Sequence, residues 1–309
     1  MRTIRKKNLL LLALLAGLAG SSLHAQILVS NFGNSTVGEY DSTSGSAVGS
    51  GTLIPSGLST PWGIAVSGGD IFVANYGNST IGEYTLSGSV INASLVSTGL
   101  SNPIGIAVSG GDIFVANHGN NTIGEYAISG TIATAVNASL ISGLNAPFGI
   151  AVSGGDIFIA NYGASEIGEF TTSGSAVGSG TLVSSGGVQS LAVSGTDIFA
   201  ANNNGNTVAE YDTSGNVINA GLIPATAGLQ SPHGIAVSGS SIYVANFGNN
   251  TLADFTISGT TITSSGTLVS SRLNDPVGVA VIPEPSTWTM LAMGGLVFFV
   301  IRQWRRVKA

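Results

Sequence analysis

Short apolar runs and mixed polar segments follow one another in a fixed order along most of the chain. In the first complete copy, apolar runs at 62–66 and 71–75 precede more polar segments at 81–86 and 90–96. The stretches between them are rich in Gly, Ser, Asn and Asp, which is typical of turns between short antiparallel strands. No stretch between 26 and 282 has the periodicity of an amphipathic helix. We therefore predict an all-β structure with four strands in each copy.

An Asn ends the second apolar run of every copy, and these residues define the repeat. They are separated by 44, 42, 44, 41 and 44 residues, and they are Asn31, Asn75, Asn117, Asn161, Asn202 and Asn246. A period of this length indicates a propeller, a solenoid or an array. The repeats begin with a second strand (27–31) and end with a lone first strand (277–281), so both termini must complete one blade. This favours a six-bladed β-propeller of four-stranded antiparallel blades, closed by pairing of the terminal strands.

The repeated string P-x-G-I-A-V, followed by G-D-I-F-V-A-N-x-G-N-N-T-I, resembles the NHL-repeat family of six-bladed propellers, and the likeness covers residues 27–281. The fourth unit has GGVQSLAV in place of the Pro-x-Gly string, and we expect its first strand to start differently. The resemblance also implies that some related propellers are metal-dependent lactonases and lyases, whose chemistry lies at the channel mouth. Their metal-ligand sets have no match in this chain.

Both ends of the chain have the composition of targeting segments. Residues 1–25 contain a basic start, an apolar run and small residues, which predict a secretory signal peptide cleaved after Ala25. At the other end, Pro283, Glu284 and Pro285 precede an uncharged segment (287–301) and a basic tail. This segment predicts a hydrophobic helix with a positive-inside stop.

The order of these parts resembles the PEP-CTERM sorting signal of Gram-negative bacteria. The resemblance implies an exosortase-type partner that removes the tail after transient anchorage in the inner membrane, and a final location at the cell surface or outside the cell. The alternative is a plain C-terminal membrane anchor. The domains are therefore a signal peptide (1–25), a propeller (26–282) and a sorting signal (283–309).

Charge is distributed very unevenly along the chain. Residues 26–282 contain fourteen acidic residues against one base, Arg272, which gives a net charge of −13. Such an acidic domain repels phosphate backbones, so we do not expect it to bind nucleic acid. The chain has no Cys, and an exported protein without disulfides must be held together by burial and backbone pairing.

The best candidate site is a set of variable residues at one end of the propeller. The string SGGD predicts a tight hairpin, so each first strand begins, and each second strand ends, on the face opposite that turn. Aromatic, amide and imidazole side chains on this face suit stacking on sugar rings and hydrogen bonding to their edges. The predicted binding residues are Trp62, Tyr76, His118, Phe148, Tyr162, Gln189, Asn203, His233 and Phe247. Ile104, Val277 and Phe32 complete the two rows. The alternative is that all these side chains only plug the channel mouth and pack loops.

Acidic residues recur at two positions of the repeat. We interpret Asp70, Asp112, Asp156 and Asp197, which follow the turn glycines or close the turn, as carboxylates bonded to nearby backbone rather than as calcium ligands. The recurring Asn after each second strand is interpreted in the same way, with its amide bonded within its own loop. A second set could form a cation ring, but third strands lie far from the axis, so we interpret it as solvated carboxylates. This set is Glu39, Glu83, Glu125, Glu169, Glu210 and Asp254.

Residues for catalysis are scarce between 26 and 282. This region has no Cys, no Lys and only two His, and it contains no nucleophile elbow, phosphate loop or HExxH string. His118 and His233 are three blades apart, so we expect no shared zinc site. We predict no catalytic residue, metal or cofactor, and favour a non-catalytic protein that binds glycan or protein at the cell surface or in the matrix. The alternatives are a metal-dependent lactonase or lyase with carboxylates near the axis, and a purely structural matrix protein.

Overall fold

The protein is a six-bladed β-propeller. Its structure, a computed structural model, describes residues 24–259 and 261–284. Within these residues, twenty-four strands form six antiparallel sheets of four strands, one for each blade. The chain starts in the closing blade, which contains β1 (Gln26–Asn31), β2 (Thr36–Asp41), β3 (Ala47–Ile54) and, from the other end of the propeller, β24 (Pro276–Ile282). The predicted six-bladed propeller of four-stranded blades, and its closure by both termini, are confirmed.

Blades 1 to 5 follow in chain order, and the strands of each blade are given from the axis outwards. Blade 1 contains β4 (Pro61–Ser67), β5 (Asp70–Asn75), β6 (Thr80–Thr85) and β7 (Val90–Val96). Blade 2 contains β8 (Pro103–Ser109), β9 (Asp112–Asn117), β10 (Thr122–Ser129) and β11 (Ile132–Ile141). Blade 3 contains β12 (Pro147–Ser153), β13 (Asp156–Asn161), β14 (Glu166–Thr171) and β15 (Ala176–Ser184).

Blade 4 contains β16 (Val188–Ser194), β17 (Asp197–Asn202), β18 (Thr207–Asp212) and β19 (Val217–Ile223). Blade 5 contains β20 (Pro232–Ser238), β21 (Ser241–Asn246), β22 (Thr251–Ser258) and β23 (Thr261–Val269). Three single 3-10 turns follow strands, at Tyr162–Ala164, Ala225–Ala227 and Phe247–Asn249. The first strand of blade 4 starts where the others do, because Val188 pairs with Asn202 as Pro61 pairs with Asn75. Our expectation of a different start was wrong.

The hydrophobic core lies between blades rather than in one central mass. Second strands are buried on both faces, whereas fourth strands expose much of their length. Six clusters of buried apolar side chains each join two adjacent blades, so all six interfaces are filled. The closing blade packs on blade 5 and on blade 1 in the same way. Burial of this extent provides the stabilisation that a chain without disulfides requires.

The predicted hairpin between first and second strands is present. Gly68 and Gly69 have φ of 64° and 93°, so both central residues of this turn are left-handed. Type I′ turns require this conformation, and glycine adopts it without strain. The variable rows and the SGGD turns therefore lie at opposite ends of the disc, as predicted.

Ring closure has its own hydrogen bonds. β1 pairs with β24 over most of its length. The buried hydroxyl of Ser30 accepts a hydrogen bond from the Gly278 N–H (2.8 Å) and donates one to the Trp62 carbonyl. One side chain of the first strand thus contacts the last strand and blade 1. The other blades have Ala at this position, so the hydroxyl is particular to the blade that closes the ring.

The glycine of each Pro-x-Gly string allows the inner strands to approach one another. A Cβ added at the glycine would overlap the backbone carbonyl of the next inner strand, in the pairs Gly63 with Ile104, Gly105 with Phe148, Gly234 with Val277 and Gly278 with Trp62. In blade 3, a Cβ on Gly149 would lie 2.8 Å from the Cα of Ser190. Five of the six inner strands therefore approach their neighbour at a distance that a side chain would prevent.

Both predicted targeting helices lie outside the described residues. This applies to the signal peptide up to residue 23 and to the hydrophobic segment at 287–301. In the described part of the chain, no helix has the length and apolar character needed to cross a membrane.

We predict that Gly105→Ala lowers the free energy of unfolding by about 1–3 kcal/mol, because overpacking against rigid backbone forces the inner strands apart. The matched control is Gly221→Ala in β19, where an added Cβ has nothing within 4 Å. Urea unfolding followed by circular dichroism measures both variants. Equal stability of the two would contradict the role assigned to the glycine ring.

Candidate functional site

The loops of the variable face are held by the Asn that ends each second strand. Its Oδ1 accepts a hydrogen bond from the backbone of the loop leading into the same blade, for example from Ser59 to Asn75 (3.1 Å) and from Asn145 to Asn161 (2.7 Å). The closing blade, blade 2 and blade 5 have the same hydrogen bond from the entry loop to the Asn side chain. The Oδ1 of Asn202 instead accepts from the Gly205 N–H in the loop that follows it (2.8 Å), and its Nδ2 donates to the Gly186 carbonyl of the earlier loop. Four other members of the set donate their Nδ2 across the following loop, to the first side chain of the third strand: Asn31, Asn75, Asn161 and Asn246. The own-loop prediction therefore holds for five of the six Asn residues, and all six also bond to the loop leading into their own blade.

A second set of hydrogen bonds joins each blade to the next on the same face. A left-handed Ser or Asn after each second strand accepts a bond from the loop leading into the following blade. Asn121 accepts from the Ala146 N–H (2.8 Å) and Asn206 from the Ser231 N–H (2.7 Å). Ser35, Ser79 and Asn250 make the corresponding bonds. The frame that presents the variable side chains is thus fixed by backbone bonds and is preorganised for binding.

Large and small side chains alternate around the axis. Blades 1, 3 and 5 place the rings of Trp62, Phe148 and His233 at the channel mouth, where all three are half-buried. The Trp62 ring centroid lies 5.9 Å from that of Phe148 and 5.9 Å from that of His233, so rings from alternate blades meet over the axis. The blades between them contribute the buried side chains Ile104, Gln189 and Val277.

Each of the three central rings lies between two side chains of the outer row, one from the preceding blade and one from its own. We call these groups the aromatic trios. Ring centroids within the trios are 4.5–5.8 Å apart, and His233 is also 3.3 Å from the amide nitrogen of Asn203. The trios are Phe32–Trp62–Tyr76, His118–Phe148–Tyr162 and Asn203–His233–Phe247. All nine predicted binding residues lie on this face, and eight of them belong to trios. The ninth is Gln189.

The role of Phe32 and the consequence of the alternating inner row were not predicted from the sequence. Phe32 belongs to a trio, although we placed it on the face without counting it among the binding residues. The alternation of ring and non-ring residues is visible in the row Trp62, Ile104, Phe148, Gln189, His233, Val277. Its consequence depends on how close the inner strands come to the axis, which the sequence does not state.

Beneath the rings lies an axial cavity of about 110 Å³, lined by the inner strands of all six blades. Ligand pockets usually measure about 300–1,000 Å³, so this cavity accommodates a few water molecules and no sugar or drug-sized molecule. None of its lining residues is acidic. A ligand of the variable face must therefore lie on the rings rather than inside the propeller.

The channel mouth contains one buried amide and one imidazole beside the rings. Gln189 is 8% exposed and lines the axial cavity, and among the described residues its Oε1 has no hydrogen-bond partner. His233 Nδ1 lies 2.9 Å from the carbonyl oxygen of Ser231. A carbonyl only accepts, so Nδ1 carries the proton and Nε2 is left as an acceptor. Burial lowers the pKa of His233 and of His118, so the side chains of the aromatic trios are uncharged at neutral pH.

The two His residues of the variable face do not lie together. His118 and His233 belong to different trios, with Phe148 and Trp62 between them. Among the described residues, no group of three or more His, Cys, Asp or Glu side chains is placed to hold a metal ion.

Two predictions about the acidic residues were wrong. The third-strand carboxylates are not solvated as a set, because Glu39, Glu83 and Glu210 are buried and burial raises the pKa of each. The backbone bonds predicted for the Asp residues of the SGGD-type turns are not seen in the described region. Asp197 accepts only a long bond from the Thr196 hydroxyl (3.4 Å).

Comparisons with known proteins identify two elements. Residues 58–84 and 100–126 match the NHL repeat, and residues 281–306 match the PEP-CTERM protein-sorting motif. A comparison with curated proteins gave no match.

Solved structures of the same fold include a chain from the crystal structure of a nidogen/laminin complex. It is 14% identical with a TM-score of 0.66, and the alignment covers 83% of this chain and 98% of that chain. Virginiamycin B lyase from Staphylococcus aureus is 19% identical with a TM-score of 0.52, over 73% of this chain and 75% of that chain. At these identities the similarity concerns the fold alone. The motif at 281–306 implies export, processing by exosortase-type machinery and a cell-surface or extracellular location. The chain is a six-bladed β-propeller with NHL repeats and a C-terminal PEP-CTERM sorting motif.

Proposed function

We propose that the protein is a non-catalytic glycan-binding propeller, which is processed at its C-terminus and acts at the cell surface or in the extracellular matrix. The variable face binds uncharged segments of polysaccharide across the aromatic trios. Its frame positions three separate stacking surfaces around one axis, so several sugar residues of one chain can be bound together.

The observation that carries this proposal is the set of three uncharged aromatic trios at one end of the disc, with the unsatisfied amide of Gln189 in the cavity beneath them. Aromatic faces stack on the apolar faces of sugars, and neutral polar groups bond to hydroxyls at the edges. Buried polar atoms are usually hydrogen-bonded, and one without a partner requires an explanation. Gln189 Oε1 lines the axial cavity beneath the rings, and a water molecule in that cavity would connect it to a hydroxyl of a ligand on the rings.

Charge favours neutral glycan over acidic glycan or nucleic acid. The described part of the domain carries one Arg, which donates to the Ser50 carbonyl in the closing blade, and the trios contain no charged side chain at neutral pH. An acidic polymer would be repelled by the remaining carboxylates. A neutral polysaccharide meets no such barrier.

The alternative functions have weaker support. A metal-dependent lactonase or lyase would need carboxylates near the axis, and the lining of the axial cavity contains none in the described region. A purely structural role predicts that the trios only seal the channel mouth. It leaves the half-buried rings and the Gln189 amide unexplained.

The sorting motif is placed where it can be removed without disturbing the propeller. β24 ends at Ile282, and the exposed residues Pro283 and Glu284 follow at once. Cleavage at or beyond this point keeps every strand of the closing blade. We propose that an exosortase-type enzyme releases the propeller from the inner membrane at this site.

Replacing Trp62 by Ala should weaken binding to neutral polysaccharide about ten-fold, because it removes the ring that centres one trio and contacts the central rings of the other two. Affinity electrophoresis of the exported protein in gels containing dextran, laminarin or galactomannan measures this, with alginate as the acidic comparison. The control is Ile132→Ala, which removes a 63% exposed apolar side chain from the outer edge of blade 2. If no neutral polysaccharide retards the wild-type protein, the glycan proposal fails and the structural role gains support.

Replacing Gln189 by Leu distinguishes a binding role from a sealing role. Removal of an unsatisfied buried amide should leave the thermal midpoint unchanged or raise it. If the amide receives a hydrogen bond from the ligand, the same variant should lose several-fold in affinity for the retarding polysaccharide. Unchanged affinity would show that Gln189 only fills the cavity.

Replacing Glu284 by Gln should block removal of the tail, because the motif loses its only charge. We expect the variant to keep its C-terminal mass and to accumulate in the inner-membrane fraction, as measured by intact mass spectrometry and cell fractionation. Ser270→Ala, an exposed change in the loop before β24, is the control. Normal processing of the Glu284 variant would refute the assigned role of the motif.

A further inference from the structure

The blades carry paired carboxylates at the end of the disc opposite the variable face. In blade 4, Phe199 pairs with Glu210 across β17 and β18, and Asp197 lies two residues before Phe199. Residues two apart on a strand, and residues directly paired across strands, share one face of the sheet. Asp197 and Glu210 are therefore diagonal neighbours. Blades 1 to 4 have the same arrangement, in the pairs Asp70 with Glu83, Asp112 with Glu125, Asp156 with Glu169, and Asp197 with Glu210.

The Glu members are unsatisfied in two of these blades. Glu83 and Glu210 are 4% and 5% exposed, and in each the Oε2 atom is buried without a hydrogen-bond partner among the described residues. Burial, and then the charge of the paired Asp, raises the pKa of each Glu. A buried anion next to a second anion is unfavourable unless a cation neutralises both. Arg272, the one base of the domain, lies at the closing blade and contacts none of the pairs.

The pairs of blades 2 and 4 open into grooves towards the next blade that offer further oxygen atoms. The groove between blades 4 and 5 has a volume of about 280 Å³ and is lined by Asp197, Glu210 and, across it, Gly239 and Ser240. The groove between blades 2 and 3 contains Asp112 and Glu125 and is larger. It also contains the polar residues Asn137, Thr172 and Ser173. Carboxylate, hydroxyl and carbonyl oxygens are the ligands that hard divalent cations prefer.

We propose that the Asp–Glu pairs of blades 1 to 4 each bind one hard divalent cation, such as Ca²⁺, in the groove towards the next blade. Two carboxylates balance the charge of the ion, and hydroxyls, carbonyls and water complete the six to eight oxygens that Ca²⁺ takes. A site with only two protein carboxylates belongs to the weak class of extracellular calcium sites, with a Kd of about 10⁻⁴–10⁻³ M. Bound ions tie neighbouring blades together.

The remaining two blades supply internal controls. Gln26 occupies the Asp position of the closing blade beside Glu39, and Ser241 occupies it in blade 5 beside Asp254. Each of these blades has one carboxylate of the pair. They should not hold a divalent ion, and the number of sites is therefore four.

Calcium binding to the exported, processed protein tests the proposal. Equilibrium dialysis against Ca²⁺ measures the number of bound ions, and thermal unfolding in Ca²⁺ or EDTA measures their effect on stability. Both experiments are done in about 0.15 M NaCl, because salt screens diffuse attraction of Ca²⁺ to the acidic disc. We expect up to four bound ions and a higher thermal midpoint in Ca²⁺, since a ligand of the native state stabilises it. Glu83→Gln and Glu210→Gln should each remove one bound ion and reduce the calcium-dependent rise.

The matched control is Glu39→Gln, which makes the same change in charge and shape at a blade without the paired Asp. It should leave the number of bound ions and the calcium-dependent rise unchanged. Loss of bound ions in Glu39→Gln equal to that in Glu210→Gln would show diffuse attraction and overturn the proposal. No calcium-dependent rise at pH 7 in the wild-type protein would also overturn it, because the pairs would then be neutralised by protons.

Discussion

The close approach of inner strands at the axis is the constraint from which the architecture follows. Five inner strands carry a glycine where a Cβ would overlap the neighbouring strand or press on its backbone. With this approach, six sheets of modest twist close a ring with a cavity of only about 110 Å³. The apolar side chains of second and third strands are then brought together between blades, where they form the six cores. A side chain at these glycines would widen the axis and separate those interfaces.

The same constraint determines what the variable face can present. Because the inner strands are close together, the position before the glycine cannot carry a bulky side chain in all six blades. Rings therefore alternate with Ile104, Gln189 and Val277 at this position. The three rings meet over the axis, and each also contacts two side chains of the outer row. Blade 4 departs from the repeat at this point, with Gln189 and Ser190 in place of an apolar residue and glycine. That departure places an amide at a channel mouth whose other inner-row side chains are apolar except for His233.

Strand positions and closure were predictable because turns and apolar runs are local signals, repeated six times in phase. Pairing of 27–31 with 277–281 followed from counting strand types. The contact between trios was not predictable, because Trp62 meets both Phe148 and His233 across the axis, from blades that are not adjacent. The burial of Glu83 and Glu210 was missed for a related reason. Alternation along a strand gives the face of a residue but not how closely the next blade covers it.

The two ends of the disc have opposite chemistry, and this separation serves both. Carboxylates at the hairpin end would raise the desolvation cost of a sugar-binding face if they lay beside it, since ions hold water more strongly than rings do. The rings, in turn, would deprive paired carboxylates of the water and oxygen ligands that a cation requires. The first hairpin reverses the chain within four residues, so blades 1 to 4 place a variable residue at one end and an Asp at the other. These reversals give a disc whose aromatic end is suited to binding glycan, while the paired carboxylates lie between the blades at the far end.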